Sequence, residues 1–229
     1  MASTLRGGPS AVAALWWDRG MTADEKTRLL YLVRHAEPRP DGSGLTPAGT
    51  EQAEHLGRRL AQLSVGEVMH GPLPRAAETA RVAAVQFDHP PSLSEADVAG
   101  DYVPSVPATD EVPSAWADTV MSTFADVSEE EAHEGAALGS RAIERLAGPA
   151  TDGRKPVEIV ITHAFTISWL VRDALDAPHW RWWGPIQCHA GLTVIMYPLD
   201  GPPSVMVSND VTHLPPELRW TGFPGHLRV

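Results

Sequence analysis

The chain has 229 residues, of which 43% are hydrophobic, enough for one well-buried core, and we predict a single domain over residues 1–229. Its 18 Lys and Arg residues against 29 Asp and Glu residues give a formal net charge of −11, so we expect no nucleic-acid partner. No run of about 18 apolar residues is present, so we expect no membrane partner either. The single cysteine, Cys188, excludes an internal disulfide and does not suggest a structural zinc site.

The first predicted element is a short apolar strand over residues 29–33, after an N-terminal extension of residues 1–28. The extension lacks a convincing signal-peptide pattern, and we predict a cytoplasmic protein. The stretch "GLTPAGTEQAEHLGRRLAQL" then predicts a helix, with Thr46 as the N-cap and Pro47 at the first helical position, because its apolar residues recur at helical spacing.

The middle of the chain predicts a second strand over residues 66–70 and a second helix in "LPRAAETARVAAVQF". Residues 88–113 are rich in Pro, Asp and Ser, which predicts a long irregular segment. Two further helices are predicted over residues 114–125 and 128–146.

The last third predicts a strand over residues 157–162, a helix over 166–175, and two antiparallel strands around the turn "DGPP". This alternation predicts an α/β fold, a three-layer α/β/α sandwich with a mostly parallel central sheet. In such sheets ligands bind beyond the carboxyl ends of the strands. Arg34, His35 and His163 follow predicted strands and should therefore meet at that edge.

Histidines and arginines at one sheet edge are typical of a phosphate site. A guanidinium matches the oxygens of a phosphate dianion, and the N-terminal amides of a helix after His163 would add further donors. An imidazole nitrogen can also attack phosphorus and form a phosphohistidine. The leaving oxygen then needs a proton, which a nearby carboxylic acid can supply.

Four motifs occur in the order seen in the histidine phosphatase, or phosphoglycerate mutase-like, superfamily. They are "LVRHAE" from Leu32, "LTPAGTEQA" from Leu45, "GPLPRAAETA" from Gly71 and "THAFTISWLV" from Thr162. The chain resembles this superfamily over residues 29–210, and its tail is most similar to the small phosphatase branch that includes mitochondrial Ser/Thr phosphatases. The resemblance implies a phosphoglycerate mutase-like fold.

The resemblance also implies a role for each matching residue. His35 would be the nucleophile, Arg34 and Arg75 would bind the phosphoryl oxygens, and His163 would bind and stabilise them in the transition state. Glu95, in "SLSEADVAG", would be the general acid, with Asp97 as the alternative. No metal or other cofactor is expected, because these cations would do its electrostatic work.

Some positions depart from the family pattern. Ala36 replaces the usual glycine after the nucleophile, His70 and Gly71 replace a small hydroxyl pair, and His189 stands where the family often has Asn. Whether His70 and His189 line the pocket or are satisfied strand-end residues stays open.

A tryptophan cluster near the end of the chain has no catalytic assignment. Trp180, Trp182 and Trp183 lie beside Pro178 and Pro185, which indicates an apolar surface or a dimer contact, so a homodimer stays open.

Residues 96–134 predict a short acidic lid, because they contain no Lys or Arg. A second phosphate would find no site there, which disfavours mutase activity. We therefore expect a metal-independent phosphomonoester hydrolase that acts on a small metabolite or a phosphoprotein. The alternatives are a catalytically silent phosphate-binding module and a mutase-like enzyme recruited to another biosynthetic reaction.

Overall fold

The computed structural model describes residues 26–151 and 153–228. Most of the predicted N-terminal extension lies outside these residues. Its last residue, Arg28, belongs to the first strand, so the extension ends earlier than predicted.

Six strands and five helices make up the regular structure of the described residues. The strands are β1 (Arg28–Arg34), β2 (Glu67–His70), β3 (Ser92–Glu95), β4 (Val157–Thr162), β5 (Leu192–Tyr197) and β6 (Ser204–Asp210). The helices are α1 (Pro47–Leu60), α2 (Pro74–Ala84), α3 (Ser114–Thr123), α4 (Glu129–Leu146) and α5 (Ala164–Ala174).

The strands form one sheet in the order β3-β2-β4-β1-β5-β6. Strands β3, β2, β4 and β1 are parallel to one another, whereas β5 is antiparallel to β1 and β6 is antiparallel to β5. The predicted antiparallel pair at the end of the chain is thus confirmed. The four parallel strands present their carboxyl ends at one edge.

Each face of the sheet is covered by helices through apolar side chains. Leu56 of α1 and Ala80 of α2 pack on one face, in a cluster that includes Ile159 of β4. Leu146 of α4 and Leu170 of α5 pack on the other face. This arrangement is the three-layer α/β/α sandwich that the strand and helix pattern predicts.

Helix α1 begins where its sequence predicts. The backbone N–H of Gly49 donates to the Thr46 side chain at 2.9 Å, and Pro47 occupies the first helical position. The Thr46 hydroxyl also donates to the Glu37 carboxylate at 2.7 Å. The cap therefore fixes the helix start against the loop that follows β1.

The segment predicted to be irregular contains a strand. Residues 92–95 form β3, which lies at the edge of the sheet and pairs only with β2. Its four residues alternate weakly and are largely exposed, so they carry little of the apolar signal that marks a buried strand.

The tryptophan cluster lies mainly in the core. The predicted apolar surface is wrong for Trp182, which is buried. Trp182 is 1% exposed, packs against Phe124 at a ring distance of 5.5 Å, and donates to the Ser105 carbonyl at 2.9 Å. Trp180 and Trp183 pack partly buried against the same cluster. Through this cluster, α3 and the irregular segment before it pack against α5. The role of residues 96–134 as a lid stays a prediction. Among the described helices, none combines the length and the apolar character needed to cross a bilayer.

Candidate active site

The ends of β1 and β4 bring His35 and His163 together. Arg34 and Thr162 are paired in the register of these two strands, and the backbone N–H of His35 donates to the Thr162 carbonyl at 2.9 Å. The next residue of each strand is therefore a histidine at the same edge. The two imidazole rings lie 5.0 Å apart, centroid to centroid.

The His35 ring is held in one orientation and is neutral. Its Nδ1 lies 2.8 Å from the Ala36 carbonyl oxygen, which can only accept, so Nδ1 carries the proton and the Nε2 lone pair accepts a hydrogen bond from the Arg75 Nε. The ring is 4% exposed, and burial, with smaller contributions from neighbouring charges, lowers the pKa of His35 to about 2. An imidazole in this state is suited to act as a nucleophile through Nε2.

The loop after His35 is fixed by the helix that carries Arg75. The backbone N–H of Ala36 donates to the Thr79 hydroxyl at 3.0 Å, and that hydroxyl donates to the Arg75 carbonyl at 2.7 Å. The Nε of Arg75 lies 3.2 Å from the His35 Nε2. The predicted nucleophile and the second predicted arginine are therefore neighbours.

His163 is the N-cap residue of α5, and its side chain has unsatisfied hydrogen-bonding capacity. It is 1% exposed, and neither ring nitrogen has a hydrogen-bond partner. Burial lowers its pKa to about 4, although Asp101 opposes the shift. A buried imidazole without a hydrogen-bond partner lowers the stability of the fold unless a ligand supplies that partner. The first amides of α5 also face this end of the sheet, where an anion is favoured.

Close packing explains one departure from the family pattern. A Cβ on Gly71 would lie 2.3 Å from the Ala99 carbonyl and 3.2 Å from the Nε2 of His163. Glycine is therefore needed chiefly to let the Ala99 carbonyl approach the end of β2, and it also leaves room for the His163 ring.

The two predicted arginines flank the histidines in different ways. Arg34 is half-buried and donates through Nη1 to the Gln187 carbonyl at 2.6 Å, while its buried Nε has no partner. Arg75 makes an ion pair through Nη2 with Asp101 at 2.6 Å. Both guanidinium groups thus lie beside the histidines with donors that a phosphate could engage.

The carboxyl group nearest to the histidines belongs to Asp101. Its Oδ2 lies 2.6 Å from the Arg75 Nη2 and 3.6 Å from the His163 Nδ1. Glu95 ends β3 with an exposed side chain, and Asp97 opens a 3₁₀ turn. Among the described residues, no hydrogen bond or ion pair joins the side chain of Glu95 or Asp97 to the predicted site residues.

The sequence did not single out Asp101, because it lies in a segment rich in Pro, Asp and Ser. No regular pattern there predicts which acid returns to the edge of the sheet. Asp101 was visible only as one of three acids in "SEADVAGDY". The turn of residues 97–99 carries the chain back toward the sheet, where Thr162 donates to the Ala99 carbonyl at 2.7 Å.

The two histidines whose roles were left open have different surroundings. The Nδ1 of His70 lies 2.8 Å from the carbonyl of the next residue, Gly71. The His189 ring lies 5.7 Å from the His35 ring and is 7% exposed. The structure therefore brings His189 into contact with the predicted nucleophile. Within the described residues, no group of three or more His, Cys, Asp or Glu side chains is placed to hold a metal ion.

This combination of a sheet edge, two histidines and two arginines defines the class of protein. Residues 30–210 match the model of the histidine phosphatase superfamily (branch 1), and the chain belongs to that superfamily.

Its curated relatives include phosphatases. Over 200 residues it is 28% identical to the mitochondrial serine/threonine-protein phosphatase PGAM5 of Mus musculus, and over 196 residues it is 29% identical to that of Caenorhabditis elegans. Each match covers 83% of this chain but 65% of the relative, so the chain spans less than two thirds of their length. These relationships support the expectation of a phosphatase.

Solved structures with low sequence identity share the fold. Bacillus stearothermophilus YhfR matches with a TM-score of 0.60 at 20% identity, over 81% of this chain and 98% of that one. The phosphoglycerate mutase of Bacillus anthracis matches with a TM-score of 0.59 at 18% identity, over 83% and 96% of the two chains. The predicted phosphoglycerate mutase-like fold is thus confirmed.

Proposed function

We propose that the protein hydrolyses phosphomonoesters in two steps through a phosphohistidine at His35. One observation carries the proposal. The unprotonated Nε2 of a neutral His35 accepts from the Arg75 Nε, a donor that a phosphoryl oxygen can take over, and lies near Arg34 and the unpartnered imidazole of His163. Such a set of donors suits a phosphoryl group that is transferred to the Nε2 atom.

In the first step, the Nε2 of His35 attacks phosphorus and the bond from phosphorus to the ester oxygen breaks. Arg34, Arg75 and His163 would stabilise the charge on the phosphoryl oxygens. The phosphate dianion gives Arg75 a second anion to bind, which frees the Asp101 carboxyl group. Asp101, released from Arg75 and protonated from solvent, then gives this proton to the leaving oxygen, and a neutral alcohol departs.

In the second step, water attacks the phosphorus of the phosphohistidine. The Asp101 carboxylate accepts the proton of that water, the bond between nitrogen and phosphorus breaks, and inorganic phosphate leaves. His35 returns to the neutral state with its Nδ1 proton on the Ala36 carbonyl. The proposal moves the acid from the predicted Glu95 to Asp101, because Asp101 contacts both Arg75 and His163.

A cavity beside Asp101 is the proposed place for the leaving group. Its volume is about 580 Å³, and apolar side chains such as Leu73 and Leu138 line it together with the carboxylates of Asp97 and Glu134. Arg141 also lines it. With a lid segment that has no Lys or Arg, this composition favours an uncharged or cationic leaving group over an anionic one. The names of the PGAM5 relatives make phosphoserine and phosphothreonine side chains the first to test.

The first experiment measures phosphate release from a panel of esters in the presence of EDTA. The panel contains p-nitrophenyl phosphate, phosphoserine peptides, amino-alcohol phosphates, nucleoside monophosphates and a sugar bisphosphate. We expect turnover by the wild type and a loss of at least about 10⁴-fold in His35→Ala, because the covalent route is removed. Mass spectrometry of the wild type quenched at alkaline pH should show one added phosphoryl group on His35.

Two results would contradict the proposal. Residual activity of His35→Ala within about tenfold of the wild type would exclude the phosphohistidine route. Absence of turnover on every ester, with phosphate still bound by the wild type, would identify a silent binding module instead.

A second experiment assigns the acid. Asp101→Asn should slow hydrolysis of an alkyl ester such as phosphoserine by about 10²-fold to 10⁴-fold, and hydrolysis of p-nitrophenyl phosphate much less, because nitrophenolate leaves without a proton. Glu95→Gln is the matched comparison. If Glu95→Gln, and not Asp101→Asn, gave the loss that depends on the leaving group, the acid would be Glu95 as the sequence predicts.

A further inference from the structure

We propose that His189 is a third active-site histidine, which donates a hydrogen bond from Nε2 to the transferred phosphoryl group, and that Thr221 and Gln52 hold its ring for this task. The inference rests on the proposed function, since it adds a residue to the same site. It starts from the ring of His189, which lies 5.7 Å from that of His35.

The orientation of the Gln52 amide is the first step. Its Oε1 accepts from the backbone N–H of Glu37 at 2.8 Å, and its Nε2 donates to the Leu218 carbonyl at 2.8 Å. A backbone N–H can only donate and a carbonyl can only accept, so the two ends of the amide cannot be exchanged. Gln52 is fully buried, and its Nε2 also donates to the Thr221 hydroxyl at 3.0 Å.

The Thr221 hydroxyl connects the Gln52 amide to the His189 ring by hydrogen bonds. Because its oxygen accepts from Gln52, its hydrogen is free to point at the Nδ1 of His189, which lies 2.8 Å away. In the proposed arrangement the hydroxyl is the donor of this hydrogen bond, so Nδ1 accepts and the proton of the neutral ring is on Nε2. The hydrogen bonds thus connect the loop after His35, through Gln52 and the C-terminal segment, to the tautomer of His189.

Packing selects the edge of the ring that faces the site. A Cβ on Gly222 would lie 3.1 Å from the Cε1 of His189 and 3.7 Å from its Nδ1. The edge formed by Nδ1 and Cε1 therefore packs against residues 221 and 222. The Nε2 edge is left for the space shared with His35.

Burial and nearby positive charge favour the neutral state of the His189 ring. Burial is the largest cause that lowers the pKa of His189, to about 3; the charge of Arg34 acts in the same direction, and a hydrogen bond with the Thr221 backbone opposes the shift. A neutral imidazole gives one N–H to a phosphoryl oxygen without taking up a proton next to the arginines.

The test compares His189→Ala, His189→Asn, Thr221→Val and the surface control His179→Ala on p-nitrophenyl phosphate. His189→Ala should lower kcat by about 10²-fold, as expected for loss of one transition-state donor, and KM should change less. His189→Asn should recover most of the loss, because its amide donates. Thr221→Val should cost about tenfold through loss of ring orientation, and His179→Ala should match the wild type.

A measurement on the wild-type protein separates this inference from the proposed function and does not depend on the folding of any variant. Long-range ¹H–¹⁵N correlation of the histidine rings should show His189 as the Nε2–H tautomer from pH 5.5 to 8, and orthovanadate should shift its Nε2 signal. The Nδ1–H tautomer, or kcat of His189→Ala within about threefold of the wild type, would overturn the inference. If no ester were hydrolysed, a vanadate shift at Nε2 would still support the contact.

Discussion

Strand β1 begins and ends with an arginine, and the two side chains have different partners. Arg28 opens the strand at the amino end of the sheet and is fully buried, and it pairs with the Glu158 carboxylate. Arg34 closes the strand at the carboxyl end and is bonded to the carbonyl of Gln187. No carboxylate among the described residues lies within ion-pair distance of Arg34, although the Nε of both arginines is unpartnered.

The surroundings extend this contrast to the two ends of the sheet. At the amino end, Arg28 also donates to the Leu146 carbonyl, and Arg145 pairs with Glu158 at 2.9 Å. At the carboxyl end, the buried ring of His163 has no hydrogen-bond partner on either nitrogen. Charge at the amino end is therefore used to stabilise the fold. Donors at the carboxyl end stay available to a ligand, at a cost to stability.

The largest expected effect comes from removing the charge of Arg34 at the carboxyl end of the sheet, where we propose that phosphate binds. Arg34→Met keeps much of the side-chain volume but removes the guanidinium donors, so kcat/KM for p-nitrophenyl phosphate should fall by about 10³-fold. The free energy of unfolding should stay within about 1 kcal/mol of the wild type, because no ion pair of the fold is broken. Steady-state kinetics and urea denaturation measure the two quantities. A loss of stability without a loss of activity would reverse the roles we assign.

The opposite change at the amino end should damage the fold and spare the chemistry. Glu158→Gln leaves Arg28 buried beside a neutral side chain, which should lower the free energy of unfolding by about 3 kcal/mol. The matched control is Glu67→Gln, which breaks an exposed pair with Lys155 at the same end and should cost less than about 1 kcal/mol. Both variants should keep kcat/KM within about twofold at a temperature where they are folded. Equal stability losses in the two variants would show that burial of the pair is unimportant.

The residues at the carboxyl end of the sheet were largely predictable, because their placement depends on local sequence. A buried strand followed by Arg34 and His35, and another followed by His163, predicts residues at one edge of a parallel sheet. The structure places these three residues together with Arg75, as the motifs imply. The helix start at Thr46 was predictable for the same reason, since capping involves near neighbours in sequence.

What could not be predicted depends on contacts between distant parts of the chain. Gln52 and Thr221 are 169 positions apart, so no local pattern announces that they hold His189. Asp101 follows a strand and a turn in a segment whose composition indicates irregular structure. Trp182 looked like part of a surface cluster because only the packing of α3 and α5 buries it.

The smallest expected effect, counted for each titrating histidine, is a loss of folding stability at acidic pH. Burial is the largest cause that lowers the pKa of four histidines, to about 2 for His35, 3 for His189 and 4 for both His163 and His213. In the unfolded chain each would titrate near 6.5, so below that pH the unfolded state binds more protons and stability falls as pH decreases.

Each histidine adds at most about 1.4 kcal/mol per pH unit to that slope, between about pH 6.5 and its folded pKa. Urea denaturation from pH 8 to pH 5 should show a plateau above pH 7 and a steepening decline below 6.5. The exposed-site control His179→Ala should keep the slope, since it leaves these four histidines in place, whereas His35→Gln should reduce the slope by one proton. A slope that is unchanged in His35→Gln would mean that His35 takes up a proton in the folded protein, which would contradict a neutral ring that accepts through Nε2. A reduced slope would show that the buried, neutral His35 contributes to the loss of stability in acid.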